Sequence, residues 1–344
     1  MAVFVPFSIE GEHVLAHIEK RRKKSAEARL LKVLRPSPIR IDAPCQYFGL
    51  CGGCSYQHME YNAQLATKAR QVEQILRRIG KIKVVPMKEI VPSPNQYGYR
   101  NRIRVHVKNG RVGFYAHRSH DLVEIESCAI AADAVNARLS KFRSKSLADG
   151  DYALAIEKEV RYFAQINDSV AQATVGIVKS HIRSPSCVLV DAYCGAGYFS
   201  RGLLDGVERV IGIERNEAAV DFARQSATKK ETYVSARVEE ALENILAKEN
   251  PRRLVLLLDP PATGVPPSVC EAILSSLPAT IIYVSCNPST LARDLRLLLG
   301  DYAVESVTPV DMFPQTAEIE VVACLRIGRK FDSNQEAEQD WQTR

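Results

Sequence analysis

Four short apolar runs, at residues 188–190, 210–213, 254–258 and 281–284, alternate with helix-like stretches. This alternation constrains the fold more than any other feature of the 344-residue chain. Runs without polar interruption are expected of strands buried on both faces, because a sheet open to water on one side would alternate. Strand-then-helix repeats imply a parallel doubly wound α/β sheet, with its ligand at the carboxyl ends of the strands. Residues 304–310 and 321–325 extend the strand pattern.

Upstream, the pattern changes. Residues 1–40 combine short apolar runs with a basic cluster and end at Pro36-Ser37-Pro38, which reads as a small β module and a linker. Residues 41–56 are rich in Cys and Gly and lack periodicity. Leu65, Ala69, Val72, Leu76 and Ile79 recur at helical spacing, and Gly80 stands where a C-terminal cap glycine belongs. Residues 100–118 alternate as strands do: Ile103, Val105 and Val107 face one way, and Arg102, Arg104, His106 and Lys108 the other.

Charge and composition narrow the function classes. The net charge of +6 is modest, but residues 20–40 hold nine Lys/Arg against one acid, and residues 97–120 hold six and none. Such clustering attracts phosphates. The first residues lack the basic start and apolar core of a signal peptide, and no stretch reaches the ~18 apolar residues of a membrane span. A cytoplasmic, membrane-free protein is therefore expected, and a monomer is taken as its state. Nine cysteines in such a chain point to metal ligands, a nucleophile or packing before disulfides.

Asp191-Ala-Tyr-Cys-Gly195-Ala-Gly197 lies between a strand and a helix, where glycines let backbone approach a ligand. It lacks the later glycine of a dinucleotide fingerprint. Glu214 ends the next strand, where a carboxylate can accept ribose hydroxyls, and Asp259 ends another. Three strand-end acids suit an adenosine ligand bearing a positive sulfonium better than one bearing phosphates.

Cys286 falls just past a buried strand, and Glu318 and Glu320 enter another at alternate positions, on one expected face. Asp259-Pro-Pro is followed by Ala262, so it lacks the aromatic of an amine-methylating motif. A thiolate that adds to carbon 6 of uracil makes carbon 5 nucleophilic, and a base must later remove the carbon 5 proton. Such chemistry needs Cys286 where the local field favours the anion, and a base extruded from the RNA stack.

Gln165 in Phe-Ala-Gln-Ile-Asn, the 191–197 turn, Gly212-Ile-Glu214, Asp259-Pro-Pro, Ser285-Cys286-Asn-Pro-Ser-Thr and residues 311–320 together resemble, in order, the motifs of the RNA 5-methyluridine methyltransferase family. The resemblance spans nearly the whole chain and implies a class I, S-adenosylmethionine-dependent methyltransferase fold. It implies Cys286 as nucleophile, Glu320 as general base, and Gln165, Tyr193, Glu214 and Asp259 as cofactor contacts. Glu318 and Ala262 depart from the family's usual His and Arg.

Cys45, Cys51 and Cys54 lie in a Gly-rich loop, with Cys128 a candidate fourth ligand; the spacing alone leaves zinc and iron–sulfur open. The resemblance implies a [4Fe–4S] cluster on these four, as in the ribosomal-RNA branch of the family, and so 23S rRNA as substrate. A tRNA uridine is the nearest alternative; a non-catalytic RNA-binding or ribosome-assembly protein and a DNA cytosine methyltransferase are others. DNA is not expected as a partner. Arg102, Arg104, His106 and Lys108, with Tyr97, Tyr99 and Tyr115 nearby, offer charge for phosphates and rings for bases.

The expected organisation follows. Residues 1–40 form a shortened module similar to a TRAM domain, and 41–56 with 90–160 an α+β region for cluster and RNA. Residues 57–89 with 161–330 form the methyltransferase domain, and 331–344 a disordered tail.

Overall fold

The computed structural model describes residues 1–156 and 165–328. Phe163, Ala164 and the tail at 331–344 lie outside the described residues. The chain divides into two compact units. The first comprises Met1–Lys68, Pro94–Lys158 and Phe313–Ala317; the second comprises Ala69–Ser93, Glu159–Met312 and Glu318–Arg344.

In the first unit, β1 (Ala2–Phe4), β2 (His13–Arg21) and β3 (Ser25–Arg35) form a sheet in the order β1-β3-β2. Helix α1 (Tyr61–Arg78) follows and runs from the first unit into the second. Of the positions that the spacing picks out, it buries Val72 and Leu76, while Leu65 and Ala69 are half-buried and Ile79, just past its end, is exposed. The left-handed residue after it is Lys81 (φ 58), not Gly80. Gly80 is needed for a different reason, since a Cβ there would lie 2.7 Å from the Leu76 carbonyl.

A second sheet has the order β6-β5-β4-β7, all antiparallel. It is built from β4 (Arg102–Lys108), β5 (Arg111–Tyr115), β6 (Leu122–Glu124) and β7 (Gly150–Ala155). The turn from β4 to β5 is Asn109-Gly110, both at positive φ (52 and 73), the geometry that matches strand twist in a tight hairpin. Ile103, Val105 and Val107 pack with Val135 and Leu139 of α2 (Asp133–Arg143), so this face is the core and the arginine face is left outward.

The second unit carries a seven-stranded sheet flanked by helices. Its strands are β8 (Val188–Ala192), β9 (Arg209–Glu214), β10 (Glu231–Ser235), β11 (Leu254–Leu258), β12 (Thr280–Ser285), β13 (Tyr302–Val310) and β14 (Glu320–Ile327). Its helices are α3 (Asp168–Ser180), α4 (Tyr198–Leu203), α5 (Glu217–Gln225), α6 (Val238–Leu246), α7 (Pro267–Ser276) and α8 (Pro288–Leu298). The strand order is β10-β9-β8-β11-β12-β14-β13.

The doubly wound α/β reading holds, with one correction. Five strands are parallel, but β14 inserts antiparallel between β12 and β13. No helix lies between β13 and β14, and strands joined without a crossover cannot run the same way. Every residue of β8, β11 and β12 is buried, as the unbroken apolar runs require. Among the described residues no helix is long and apolar enough to cross a membrane.

Candidate active site

The turn after β8 is shaped by three left-handed residues, Tyr193 (φ 67), Gly195 (φ 53) and Gly197 (φ 81). A Cβ on Gly197 would come within 2.7 Å of the Tyr233 hydroxyl, whereas one on Gly195 would meet nothing within 4 Å. Glu214, at the end of β9, fixes the turn from the side. Its carboxylate accepts from the Gly195 N–H (3.1 Å) and the Asn216 N–H (2.7 Å).

Asp191 is fully buried. One carboxylate oxygen accepts from the Ser200 hydroxyl at 2.6 Å and the other has no hydrogen-bond partner. Burial, partly offset by Ser200 and reinforced by Glu214, pushes its pKa up to about 7. Asp259 follows β11, and its N–H donates to the Ala192 carbonyl at 3.3 Å. Burial and then the Asp191 carboxylate push Asp259 up to about 8. Glu320 opens β14, 5% exposed, and burial and then Asp259 hold its carboxyl well above the usual range.

Cys286 and Glu320 are brought together by strand register. The last pair of the β12–β14 ladder is Ser285↔Val321; Cys286 follows Ser285 just past the end of β12 and Glu320 precedes Val321, and the Glu320 carboxylate is near enough to raise the thiol. Cys286 is exposed and immediately precedes the cap of α8. Asn287 Oδ1 accepts from the Ser289 N–H (3.0 Å) and its Nδ2 donates to the Ala262 carbonyl (3.0 Å), which also accepts from Thr290 Oγ1 (3.1 Å). Ala262 thus works through its backbone, and these bonds do not depend on its side chain.

The expectation that the field at Cys286 favours the thiolate is not met in the protein alone. Although the residue is exposed, partial desolvation of its thiol first, then the carboxylates of Glu320 and Asp259, push it up to about 11. The partial positive end of α8 is outweighed, because a helix terminus offers only about half a charge. Glu318 adds to the negative field at Cys286, but it is exposed and precedes β14, so the two glutamates do not share one buried face.

The chain of acids from Glu214 through Asp191 and Asp259 to Glu320 fits a cationic ligand. Each of the last three is raised by burial and by its neighbour, and a sulfonium would relieve that repulsion. The open space above Gly195 gives such a ligand access to backbone. Tyr193 is half-buried with its hydroxyl unpartnered, and burial pushes its pKa up. Gln165 is half-buried and stands two residues before Asn167, whose side chain caps α3.

In the first unit, Cys45, Cys51, Cys54 and Cys128 line one cavity of about 340 Å³. Burial comes first in raising Cys51, Cys128 and Cys54 (the last to about 12), and the sulfurs raise one another further. Donors already point at these sulfurs: the Gly53 N–H at Cys51 (3.4 Å), the Gln57 side chain at Cys54, and the Ile130 and Ala131 N–H groups at Cys128. Arg100, which the sequence reading did not single out, lines the cavity and lowers Cys128. Its signal was present in the basic run, but nothing local marked it as facing sulfur.

The outward face of β4 also meets this cavity through Arg104 and His106. His106, Tyr115 and His120 form a continuous stack, with centroid distances of 3.7 and 5.3 Å. Tyr99 does not belong to this face. It is buried and its hydroxyl donates to the Pro314 carbonyl at 3.0 Å. Tyr97 is half-buried beside Cys54 and Cys45, and burial pushes it up to about 12.

The profile of the family described as tRNA (Uracil-5-)-methyltransferase matches residues 142–327, more than half of the chain. A protein described as an uncharacterized RNA methyltransferase of Bdellovibrio bacteriovorus is 32% identical over 357 residues, covering 95% of this chain and 90% of that protein. One so described from Aquifex aeolicus is 29% identical over 405 residues, covering 95% and 93%. The fold is similar to that of Pyrococcus abyssi tRNA (uracil-54, C5)-methyltransferase in complex with S-adenosyl-L-homocysteine, with a TM-score of 0.70, 24% identity, and coverage of 94% and 95%. With its strand-end acids and its cysteine–glutamate pair, the chain belongs to the tRNA (uracil-5-)-methyltransferase family and is an S-adenosylmethionine-dependent RNA methyltransferase.

Proposed function

We propose that the protein methylates carbon 5 of a uridine in RNA, with 23S rRNA the favoured substrate, through a transient bond between Cys286 and carbon 6. The observation that supports this reading most is that Glu320, the first residue of β14, acts directly on the thiol of Cys286, just past the end of β12. S-adenosylmethionine supplies an electrophilic methyl group on sulfur. Cys286 Sγ forms a bond to carbon 6, and the displaced electron pair makes carbon 5 the nucleophile that takes the methyl. Glu320 then accepts the carbon 5 proton, the C–H pair restores the 5,6 double bond, and Sγ leaves as thiolate.

The electrostatics at Glu320 suit the last step, whereas the Cys286 thiolate needs the bound sulfonium to offset the carboxylates around it. Glu320 titrates above the ordinary carboxylate range, which is what a base that must later bind a carbon-derived proton needs. Glu214, Asp259, Tyr193 and Gln165 are assigned to the methyl donor, and the outward face of β4 with the His106–Tyr115–His120 stack to unpaired RNA.

The four cysteines are assigned to a [4Fe–4S] cluster. Cys45, Cys51, Cys54 and Cys128 line one cavity and raise one another's pKa values, as four thiols gathered round a common ligand would. The cluster in turn supports the ribosomal branch of the family and with it a cytoplasmic setting.

Mass-spectrometric mapping of 5-methyluridine in ribosomal and transfer RNA from a knockout strain tests the reading. Loss of one or more marks in 23S rRNA is expected. Loss in tRNA instead would move the substrate, and no loss in either would overturn the function. Cys286→Ala should abolish methyl transfer, with S-adenosylmethionine binding by calorimetry nearly unchanged; turnover near wild type would remove Cys286 from the mechanism.

A further inference from the structure

The chain leaves the carboxyl end of β11 at Asp259 and reverses in a tight turn, in which the Gly264 N–H donates to the Pro261 carbonyl at 2.8 Å. Pro261, Ala262 and Thr263 are exposed, while Gly264 is buried and left-handed (φ 74). A Cβ on Gly264 would come within 2.6 Å of Arg293 Nη2, so this position admits no side chain while α8 keeps its place.

Helix α8 grips the turn from one side. Asn287 Nδ2 (3.0 Å) and Thr290 Oγ1 (3.1 Å) both donate to the Ala262 carbonyl. Arg293 Nη2 donates to the carbonyls of Thr263 (2.9 Å) and Val265 (3.3 Å). Asp294 is buried, and one of its oxygens accepts from the Val265 N–H (2.9 Å) and the Tyr283 hydroxyl (2.7 Å). Its other oxygen accepts from Arg293 Nε (2.7 Å). All of these residues belong to the second unit.

This grip sets what the open side of the turn presents. A trans peptide carries its carbonyl and its N–H on opposite edges, and the bonds here are trans. Fixing the Ala262 carbonyl on α8 therefore aims the Thr263 N–H away from α8. Giving the Pro261 carbonyl to the turn aims the Ala262 N–H away from the turn. Neither N–H has a protein partner among the described residues. Three successive carbonyls are occupied and two successive N–H groups are open. The turn adjoins the nucleophile, because Asn287, which holds Ala262, directly follows Cys286.

We propose that this turn reads the base: the Ala262 and Thr263 N–H groups receive the O4 carbonyl of uracil, and the occupied carbonyls offer nothing to the 4-amino group of cytosine. The inference rests on Cys286 as nucleophile and deepens that reading. Carbon 4 stands two ring atoms from carbon 6, so a donor adjoining the thiol is within reach of O4. Once Sγ has bonded to carbon 6, the displaced pair is shared with O4 as an enolate, and hydrogen bonds to that oxygen strengthen. Cytosine would leave two donors facing an amine, a mismatch that discriminates strongly. Asn287, Thr290, Arg293 and Asp294 are positioning residues that act through the turn.

The test offers the full chain S-adenosylmethionine and a synthetic RNA hairpin centred on the uridine mapped in the knockout strain. That one position carries either 5-fluorouridine or 5-fluorocytidine. Cys286 Sγ adds to carbon 6 and carbon 5 takes the methyl group; fluorine cannot leave as a proton does, so the adduct persists and is counted on a denaturing gel. Thr290→Val keeps the shape of the side chain, and Asn287→Ser keeps a cap on α8. Together they release the Ala262 carbonyl and let its peptide turn over.

Wild type should trap fluorouridine about a hundred-fold faster than fluorocytidine. The double variant should lower that ratio about ten-fold, the worth of one hydrogen bond. A clamp that is only structural would slow both traps in step and hold the ratio, which overturns the inference, as does a wild type that traps the two bases alike. If the double variant traps neither, Thr290→Val alone is scored by the same ratio, and an inert Thr290→Val shows the clamp to be scaffolding. No trapping of fluorouridine by wild type would instead remove the covalent reading itself, and the turn's role with it.

Discussion

Asp259 shows how burial and like charge act together on a single group. Its carboxyl is raised from 3.8 to about 8 by burial and then by Asp191, itself raised to about 7. An acid whose native pKa is raised binds its proton more tightly in the native state. Its stabilising contribution is therefore complete below pH 3.8 and lost as pH rises through about 8. Melting temperatures measured without ligand from pH 5 to 9 should fall more steeply for wild type than for Asp259→Asn. Parallel curves would show that this carboxyl is ionised throughout. The same acids make ligand charge matter: affinity for S-adenosylmethionine should strengthen from pH 6 to 9, while affinity for uncharged-sulfur S-adenosylhomocysteine should change little, both read by calorimetry. At Cys286 the same causes raise the thiol. Alkylation by iodoacetamide should have an apparent pKa of about 11 in the free protein and move lower when the sulfonium is bound.

Among the elements, β9 and β10 illustrate how tightly the sheet is built around the turn. A Cβ at Gly212 would lie 2.6 Å from Tyr233 Cδ1 and 2.9 Å from Cys194 Sγ, and both neighbours are buried. Gly212→Ala should cost about 1–3 kcal/mol in urea denaturation, and an unchanged midpoint would mean that the strands can separate more than their packing suggests. The unbroken apolar runs made β8, β11 and β12 legible in sequence, because burial on both faces confines polar residues such as Asp191, Thr280 and Ser285 to the strand ends. The direction of β14 was not legible, since a buried strand reads the same whichever way it runs. Gln64, Lys68 and Tyr99, which hold residues 313–315 by hydrogen bonds, were missed for a related reason. Hydrophobic periodicity passes over buried polar side chains, and their partners lie more than 200 positions away in the chain. The 191–197 turn and the strand-end acids were visible because glycine and carboxylate stand where apolar runs stop.

At the scale of the molecule, the cysteine cavity and the outward face of β4 belong to one unit and the acid chain with Cys286 to the other. Protein purified without oxygen should be brown and contain about four irons per chain, the content of the proposed [4Fe–4S] cluster. A colourless, zinc-containing preparation would reassign the site. Cys128→Ser should lower the iron content sharply and leave the secondary-structure signal of the seven-stranded sheet in place. The division of the chain also bears on protein engineering. A chimera that takes its first unit from a homologue cannot be cut at the three seams after residues 68, 93 and 158 alone. Phe313–Ala317 lies deep in the sequence of the reaction half but is structurally part of the other, so this pentapeptide must be transplanted together with residues 1–68 and 94–158.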